Sequence, residues 1–275
     1  MKILIVGGSG FLGREVAEQA KAAGHTVTAT FATHAGDLTG VRWLPLDLRR
    51  ADEIDATLDE TGPDVVVNAA YRKGDWATTA DGAARLARTA GARACRLVHV
   101  SSDAVFSGSA VPYDESATPD PVTPYGAAKA AAETAIRLLA PDAVIARTSL
   151  IVGDGDSDHE EFVHELAEGR RQGVLFTDVI RCPVHVADLA AALLELAVTD
   201  HTGVRHLGGP DAVSRHELGV LIAARDGLDA TRLPTGRHAD RNTPGALDVR
   251  LDSGRTQRTL RTRLRGAREF LRRGE

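Results

Sequence analysis

The run Ile3-Leu4-Ile5-Val6-Gly7-Gly8-Ser9-Gly10-Phe11-Leu12-Gly13 decides how this chain is read. A short apolar segment feeding spaced glycines is how a buried strand passes into a helix around a dinucleotide pyrophosphate. Gly7 lets the backbone turn sharply, Gly10 lets it approach the phosphates without a Cβ in the way, and Gly13 lets the helix pack close to the sheet. The N–H groups at the helix start, around Phe11 and Leu12, then face an anion. In a chain with 27 glycines such a trio is weak alone, and a purely structural turn is the competing reading. Position adds weight, because Val16, Ala17, Ala20 and Ala23 follow at helical spacing.

Working outward, strand-like runs recur at 25–31, 41–45, 65–68, 96–101 and 143–148, separated by helical patterns such as 52–59, 78–90 and 126–139. This alternation predicts an α/β fold, a Rossmann-type doubly wound parallel sheet with helices on both faces. After Leu150 the rhythm loosens into Gly153-Asp154-Gly155-Asp156-Ser157-Asp158. That polar loop divides a nucleotide-binding core, 1–150, from a small C-terminal α/β substrate lobe, 151–275, with some segments returning to the core. The lobe is predicted to hold helices over 160–168, 187–198 and 215–224 and strands over 174–176 and 204–207. Leu260, Leu264, Ala267 and Leu271, spaced three or four apart within Arg255–Arg273, predict one further helix with an apolar face and solvated arginines.

The formal charge of −5 and the 43% hydrophobic content point to a globular domain with no electrostatic footprint for nucleic acid or an anionic membrane. A small acidic or neutral ligand is the expected partner, and a homodimer is left open. Cys95 and Cys182 show neither CxxC spacing nor a disulfide framework, which predicts buried thiols in a reducing compartment. The ten histidines fit no metal pattern. With no leader-like segment and no run of membrane-spanning length, the reading is a soluble cytoplasmic protein.

Chemistry concentrates in Tyr125-Gly126-Ala127-Ala128-Lys129. The i, i+4 spacing sets both side chains on one helix face, where an ammonium would favour the phenolate and draw the tyrosine pKa toward neutrality. Such a tyrosine exchanges a proton with a substrate oxygen, and the lysine can also hold a cofactor ribose. Ser101-Ser102-Asp103 ends a strand at the edge where doubly wound sheets bind ligands, so a serine hydroxyl there can bind a carbonyl oxygen or simply cap the strand end. No GxSxG elbow argues for a nucleophilic serine. Thr30-Phe31-Ala32-Thr33-His34 offers no acid for a ribose 2′-hydroxyl, whereas Arg14 and His34 can meet a 2′-phosphate. NADP is therefore expected over NAD, with Asp37 as the reservation.

These residues resemble the extended short-chain dehydrogenase/reductases, and within them the dTDP-4-dehydrorhamnose reductase-like proteins. The resemblance is carried by Gly7–Gly13, Asp47-Leu48, Asn68-Ala69-Ala70, Val98–Phe106, Pro112–Glu115, Pro124–Lys129, Arg147-Thr148-Ser149 and Cys182–Ala190. It implies that Ser102, Tyr125 and Lys129 are the catalytic trio and that Asp47, Leu48, Ala69 and Ala70 line the cofactor. It also implies substrate contacts at Ser102, Asp103, Ala104, Tyr125 and Arg181, and reduction of a keto group on a nucleotide-activated deoxysugar. The chain departs from the family pattern at Ala104, usually an aromatic hydroxyl, at Thr79, usually asparagine, and at Gly245-Ala246, usually an Arg-Pro pair. Substrate identity is what these departures unsettle. A sugar-nucleotide epimerase or dehydratase is the neighbouring alternative, and a non-catalytic NADP-binding regulatory subunit the alternative from another class.

Overall fold

The computed structural model describes residues 1–272. Seven strands form one parallel sheet: β1 (Lys2–Val6), β2 (Thr26–Phe31), β3 (Arg42–Pro45), β4 (Val65–Asn68), β5 (Arg96–Ser102), β6 (Val144–Thr148) and β7 (Gly203–Leu207). Their spatial order is β3-β2-β1-β4-β5-β6-β7. In β1 every residue after Lys2 is buried, without alternation, because both faces of the sheet are covered. Ile3 and Ile5 pack beneath α1 (Phe11–Ala22) and α6 (Val186–Ala197). Leu4 and Val6 pack beneath α2 (Ala51–Thr61), α3 (Ala83–Ala92) and α4 (Pro124–Leu139). The predicted helix over 78–90 begins as a π-helical turn, Ala77–Gly82, before α3. Val16, Ala17 and Ala20 face the core of α1 as their spacing requires, whereas Ala23 lies just past the helix end and is exposed.

The strand order reverses between β1 and β4, whose carboxyl ends meet at Val6 and Asn68. Ligands bind at such a crevice. A second apolar cluster, containing Val163, Leu166, Leu175, Leu218 and Ile222, joins α5 (Asp158–Ala167) to α7 (Arg215–Asp226) beyond that edge. The polar loop at 153–158 is held by one carboxylate: Glu160 accepts the N–H groups of Gly153, Gly155 and Ser157 and completes a capping box with Ser157 at the start of α5.

The C-terminal segment corrects its prediction. In place of one helix it holds two short ones, Gly254–Gln257 and Ala267–Phe270, and Arg273 lies outside the described residues. The amides between them are claimed from elsewhere. Glu195 accepts from Arg261 and Thr262 N–H, Gln257 from Leu264, and Asp188 from Arg265. Backbone donors satisfied this way need no helical ladder. The four apolar residues are still buried, Leu260 and Leu264 against the sheet helices and Ala267 and Leu271 in the outer cluster. Among the described residues, no helix is long and apolar enough to cross a membrane.

Candidate active site

Each glycine of the opening loop has a distinct steric reason. Gly7 has φ +80°, and a Cβ there would stand 2.8 Å from the backbone of Ala70. At Gly13 a Cβ would come within 2.1 Å of the Gly7 carbonyl oxygen, so only glycine lets α1 lie against the loop. Gly10 meets only that same oxygen, at 3.4 Å, and its front is open. Gly10 is also the N-cap of α1 and supplies no side-chain cap, which leaves amides available to an anion. The adjoining groove, about 330 Å³, is walled by Gly7, Gly10, Asp47, Leu48, Ala69 and Ala70. An open glycine cradle at an uncapped helix start suits a dinucleotide pyrophosphate.

The remaining cofactor candidates diverge. Leu12 is buried in the core, and the Phe11 ring packs on Gly153, where a Cβ would be 2.8 Å from Cζ. Arg14 pairs through its guanidinium with Asp37 at 3.2 Å on the surface, the residue named as the reservation. His34 is exposed. The groove also recruits residues the sequence reading missed. Thr30 Oγ1 accepts the Gly7 N–H at 3.1 Å and pins the loop to β2. Arg49 lines the groove and grips Asp47 through Nε at 2.9 Å and Nη2 at 2.6 Å, holding that carboxyl down at about 2. Tyr71 stands on the same wall. The only hint was the Asp47-Leu48-Arg49 spacing.

The phenol is positioned by the start of α4. Thr123 caps the helix by accepting the Gly126 N–H at 3.1 Å, and Pro124 pre-sets its first turn. A Cβ at Gly126 would lie 2.0 Å from the Ala104 carbonyl oxygen, so glycine lets the helix press on the segment after β5 that carries Ser102. Ser102 Oγ accepts the Ala104 N–H at 3.1 Å and donates to Asp103 at 3.2 Å. The Tyr125 ring lies 5.7 Å from that of Tyr71.

The electrostatics overturn one expectation. Burial pushes the Tyr125 phenol above its ordinary range, Tyr71 and Asp103 add to that, and a hydrogen bond with Ser102 opposes it. Lys129 does not draw the phenol toward neutrality here. Its ammonium donates to the Val100 carbonyl at 2.9 Å and is itself buried, which lowers it to about 8 against the pull of Glu133. For Tyr125 the loss of hydration outweighs its one favourable hydrogen bond, so the net shift is upward.

Beyond Tyr125 lies a second cavity, about 320 Å³, lined by Ala104, Thr123, Phe176, Arg181, Arg215 and Ala246 among others. Asp103, predicted to touch substrate, is buried behind this wall: its Oδ2 accepts from Ser149 Oγ at 2.6 Å and lies 3.6 Å from Arg181 Nε. Arg181 in turn donates to the carbonyls of Ile180, Ala246 and Leu247, so it fastens the loop bearing Gly245-Ala246. Arg215 was not anticipated from the sequence. Desolvation first and Arg181 second lower it to about 10, still a cation at neutral pH. Thr79 is buried and bonds both the N–H and the carbonyl of Arg72, a structural duty. Cys95 and Cys182 are buried free thiols that burial pushes up to about 11.

A parallel sheet with its reversal at β1 and β4, a glycine loop at that reversal and a Tyr-x-x-x-Lys helix beside it define the short-chain dehydrogenase/reductase class. Within it, the chain belongs to the family described as the RmlD substrate binding domain, whose sequence pattern matches residues 1–273. Its relatives include the spore coat polysaccharide biosynthesis protein SpsK of Bacillus subtilis strain 168, 32% identical over 84% of this chain and 82% of that protein. Another is a dTDP-4-dehydrorhamnose reductase of Mycolicibacterium smegmatis, 31% identical over 98% of this chain and 84% of that protein. The fold is shared with a dTDP-4-dehydrorhamnose reductase from Bacillus anthracis str. Ames in complex with NADP, at a TM-score of 0.83 and 20% identity, covering 98% of this chain and 96% of that one.

Proposed function

We propose that the protein reduces a keto group on a nucleotide-activated deoxysugar, with NADPH as the preferred reductant and NADH as the alternative. The observation that carries this reading is that the Tyr125 ring lies 5.7 Å from Tyr71 on the wall of the glycine-lined groove and hydrogen-bonds with Ser102, while Thr123 and Ala104 next to them line the arginine-bearing cavity. The reductases among the relatives support the substrate class, and the NADP complex with the same fold supports the cofactor. So does the end of β2, which lacks a ribose-binding acid.

When bound, the nicotinamide supplies the hydride. The Ser102 hydroxyl, turning its one proton from Asp103, donates to the carbonyl oxygen and stabilises the charge that grows there. Tyr125, whose raised pKa keeps it protonated at neutral pH, delivers the proton to that oxygen. Lys129, reaching from one turn further along α4, offers its remaining ammonium protons to the ribose and to the phenolate that Tyr125 becomes. Arg181 and Arg215 face one buried carboxylate, Asp103, which leaves one positive charge to hold a diphosphate. The outer cluster around α5 and α7 is then the substrate lobe. Ala104 supplies no hydroxyl to the sugar, so the preferred sugar differs from one selected through that contact.

The test is to incubate the purified protein with NADPH or NADH and a panel of nucleotide 4-keto-6-deoxysugars while following loss of cofactor absorbance. Turnover of at least one, faster with NADPH, is the expected result. Tight NADPH binding without consumption on any member would favour the non-catalytic subunit instead.

A further inference from the structure

A separate pocket of about 480 Å³ lies at the amino end of β7, far along the sheet from the carboxyl-edge groove, between the last turn of α4, the loop at 115–118 and the short helix Gly254–Gln257. Its walls carry Arg137, Arg205 and Arg255 against a single carboxylate, Glu115. We infer that this pocket binds a small molecule through a diphosphate group.

The charge around it is unbalanced. Glu133, behind the pocket, is taken by Arg147 through Nε at 2.9 Å and Nη2 at 2.7 Å, and Arg137 reaches it only at 3.4 Å. Glu115 spends its Oε1 on the N–H and hydroxyl of Thr256, at 3.2 and 2.7 Å. Asp114, next to the pocket, accepts from Ser116. Arg205 is left worst served: among the described residues its Nε is buried without a hydrogen-bond partner, and desolvation and Arg255 press on its charge with only Glu115 opposing them. Buried donors are rarely left unpaired, and a guanidinium on a pocket wall beside two others, with no carboxylate bonded to it, is suited to a phosphate.

The strand edge adds a neutral donor. β7 is the last strand of the sheet, and its Gly203 N–H bonds inward to Ala143 while the His206 N–H points outward to Thr256 Oγ1. By that alternation the Val204 N–H also points outward, into the pocket. The walls hold no aromatic ring for a base to stack on, so recognition falls on the phosphates. Because neither Tyr125 nor the glycine loop takes part, the inference stands apart from the proposed reductase activity.

The probe is inorganic pyrophosphate, titrated calorimetrically into the full-length protein at fixed ionic strength, with thymidine diphosphate as a second arm. Arg255→Gln and Arg137→Gln alter exposed side chains that the fold does not need. Arg49→Gln serves as the control in the cofactor groove. Saturable pyrophosphate binding that Arg255→Gln weakens by about tenfold is the expected result, the loss of one charge-assisted contact. Equal affinity for the two probes would mean that only the diphosphate is read, and tighter thymidine diphosphate, still sensitive to Arg255, that a nucleoside is held as well. No saturable binding, or binding lowered by Arg49→Gln and indifferent to both Arg255→Gln and Arg137→Gln, would overturn the inference.

Discussion

Two adjacent stretches of α4 treat charge in opposite ways. In its first two turns Tyr125 and Lys129 are enclosed without a carboxylate bonded to either, and Lys129 has the Val100 carbonyl and the more distant charge of Glu133 to set against its desolvation. One turn further on, Glu133 is buried with Arg147 in a two-pronged pair, Ser101 Oγ donates to the same carboxylate at 2.6 Å, and Arg147 also stacks over the Phe106 ring at 4.9 Å. The second arrangement is complete, and nothing is left over for a ligand. The first is incomplete, and that incompleteness is its capacity to do chemistry. Chemistry and architecture are thus separated by a single helical turn on one face.

The comparison breaks first at the paired end. Arg147→Ala leaves the buried Glu133 charge with only the Ser101 hydroxyl and the long Arg137 contact, and should cost about 3–5 kcal/mol of stability, read from the denaturant midpoint. A shift below about 1 kcal/mol would mean that this pair is not the anchor described. At the reactive end Tyr125→Phe should leave the midpoint and NADPH affinity unchanged while kcat falls by roughly 10²-fold, about 2.7 kcal/mol of barrier. Near-normal turnover would remove Tyr125 from the chemistry.

The smallest effect sharpens the contrast. Since burial lowers Lys129 to about 8, its cation is present below that pH and lost above it. If the ammonium is needed, kcat/KM should be level below pH 8 and fall as pH rises through it, by roughly tenfold per unit beyond. Lys129→Arg, with a charge that persists, should flatten that limb even if its overall rate is lower. A wild-type profile level through pH 9.5 would show that the charge of Lys129 is not used.

What could be read in advance followed from local demands. The glycine loop was legible because turn, approach and packing each constrain a backbone position within seven residues of sequence. The Tyr125 and Lys129 pair was legible because one helix period sets it. Arg14 and Asp37 find each other across twenty-three positions, and no periodicity reports a surface ion pair of that kind. Arg215 was hidden for a similar reason: it follows an N-cap serine on α7 like any solvated helix residue, and only the docking of α7 near Arg181 makes it a buried cation. The segment after Arg255 carried a helical apolar pattern, yet Asp188 and Glu195 of α6 took its amides. Spacing records which side chains are buried and is silent on which donors are already engaged.

That last segment has a consequence for how the chain matures. Leu260 and Leu264 complete the packing beneath the sheet, and Ala267 and Leu271 complete the outer cluster, so one short stretch of chain is shared by both halves of the molecule. The parallel sheet can pair before this stretch docks, but the cluster beneath the sheet and the outer cluster both stay open at this seam until it does. Residues 260–271 therefore act as a clasp, and their docking is the step that closes both clusters at once.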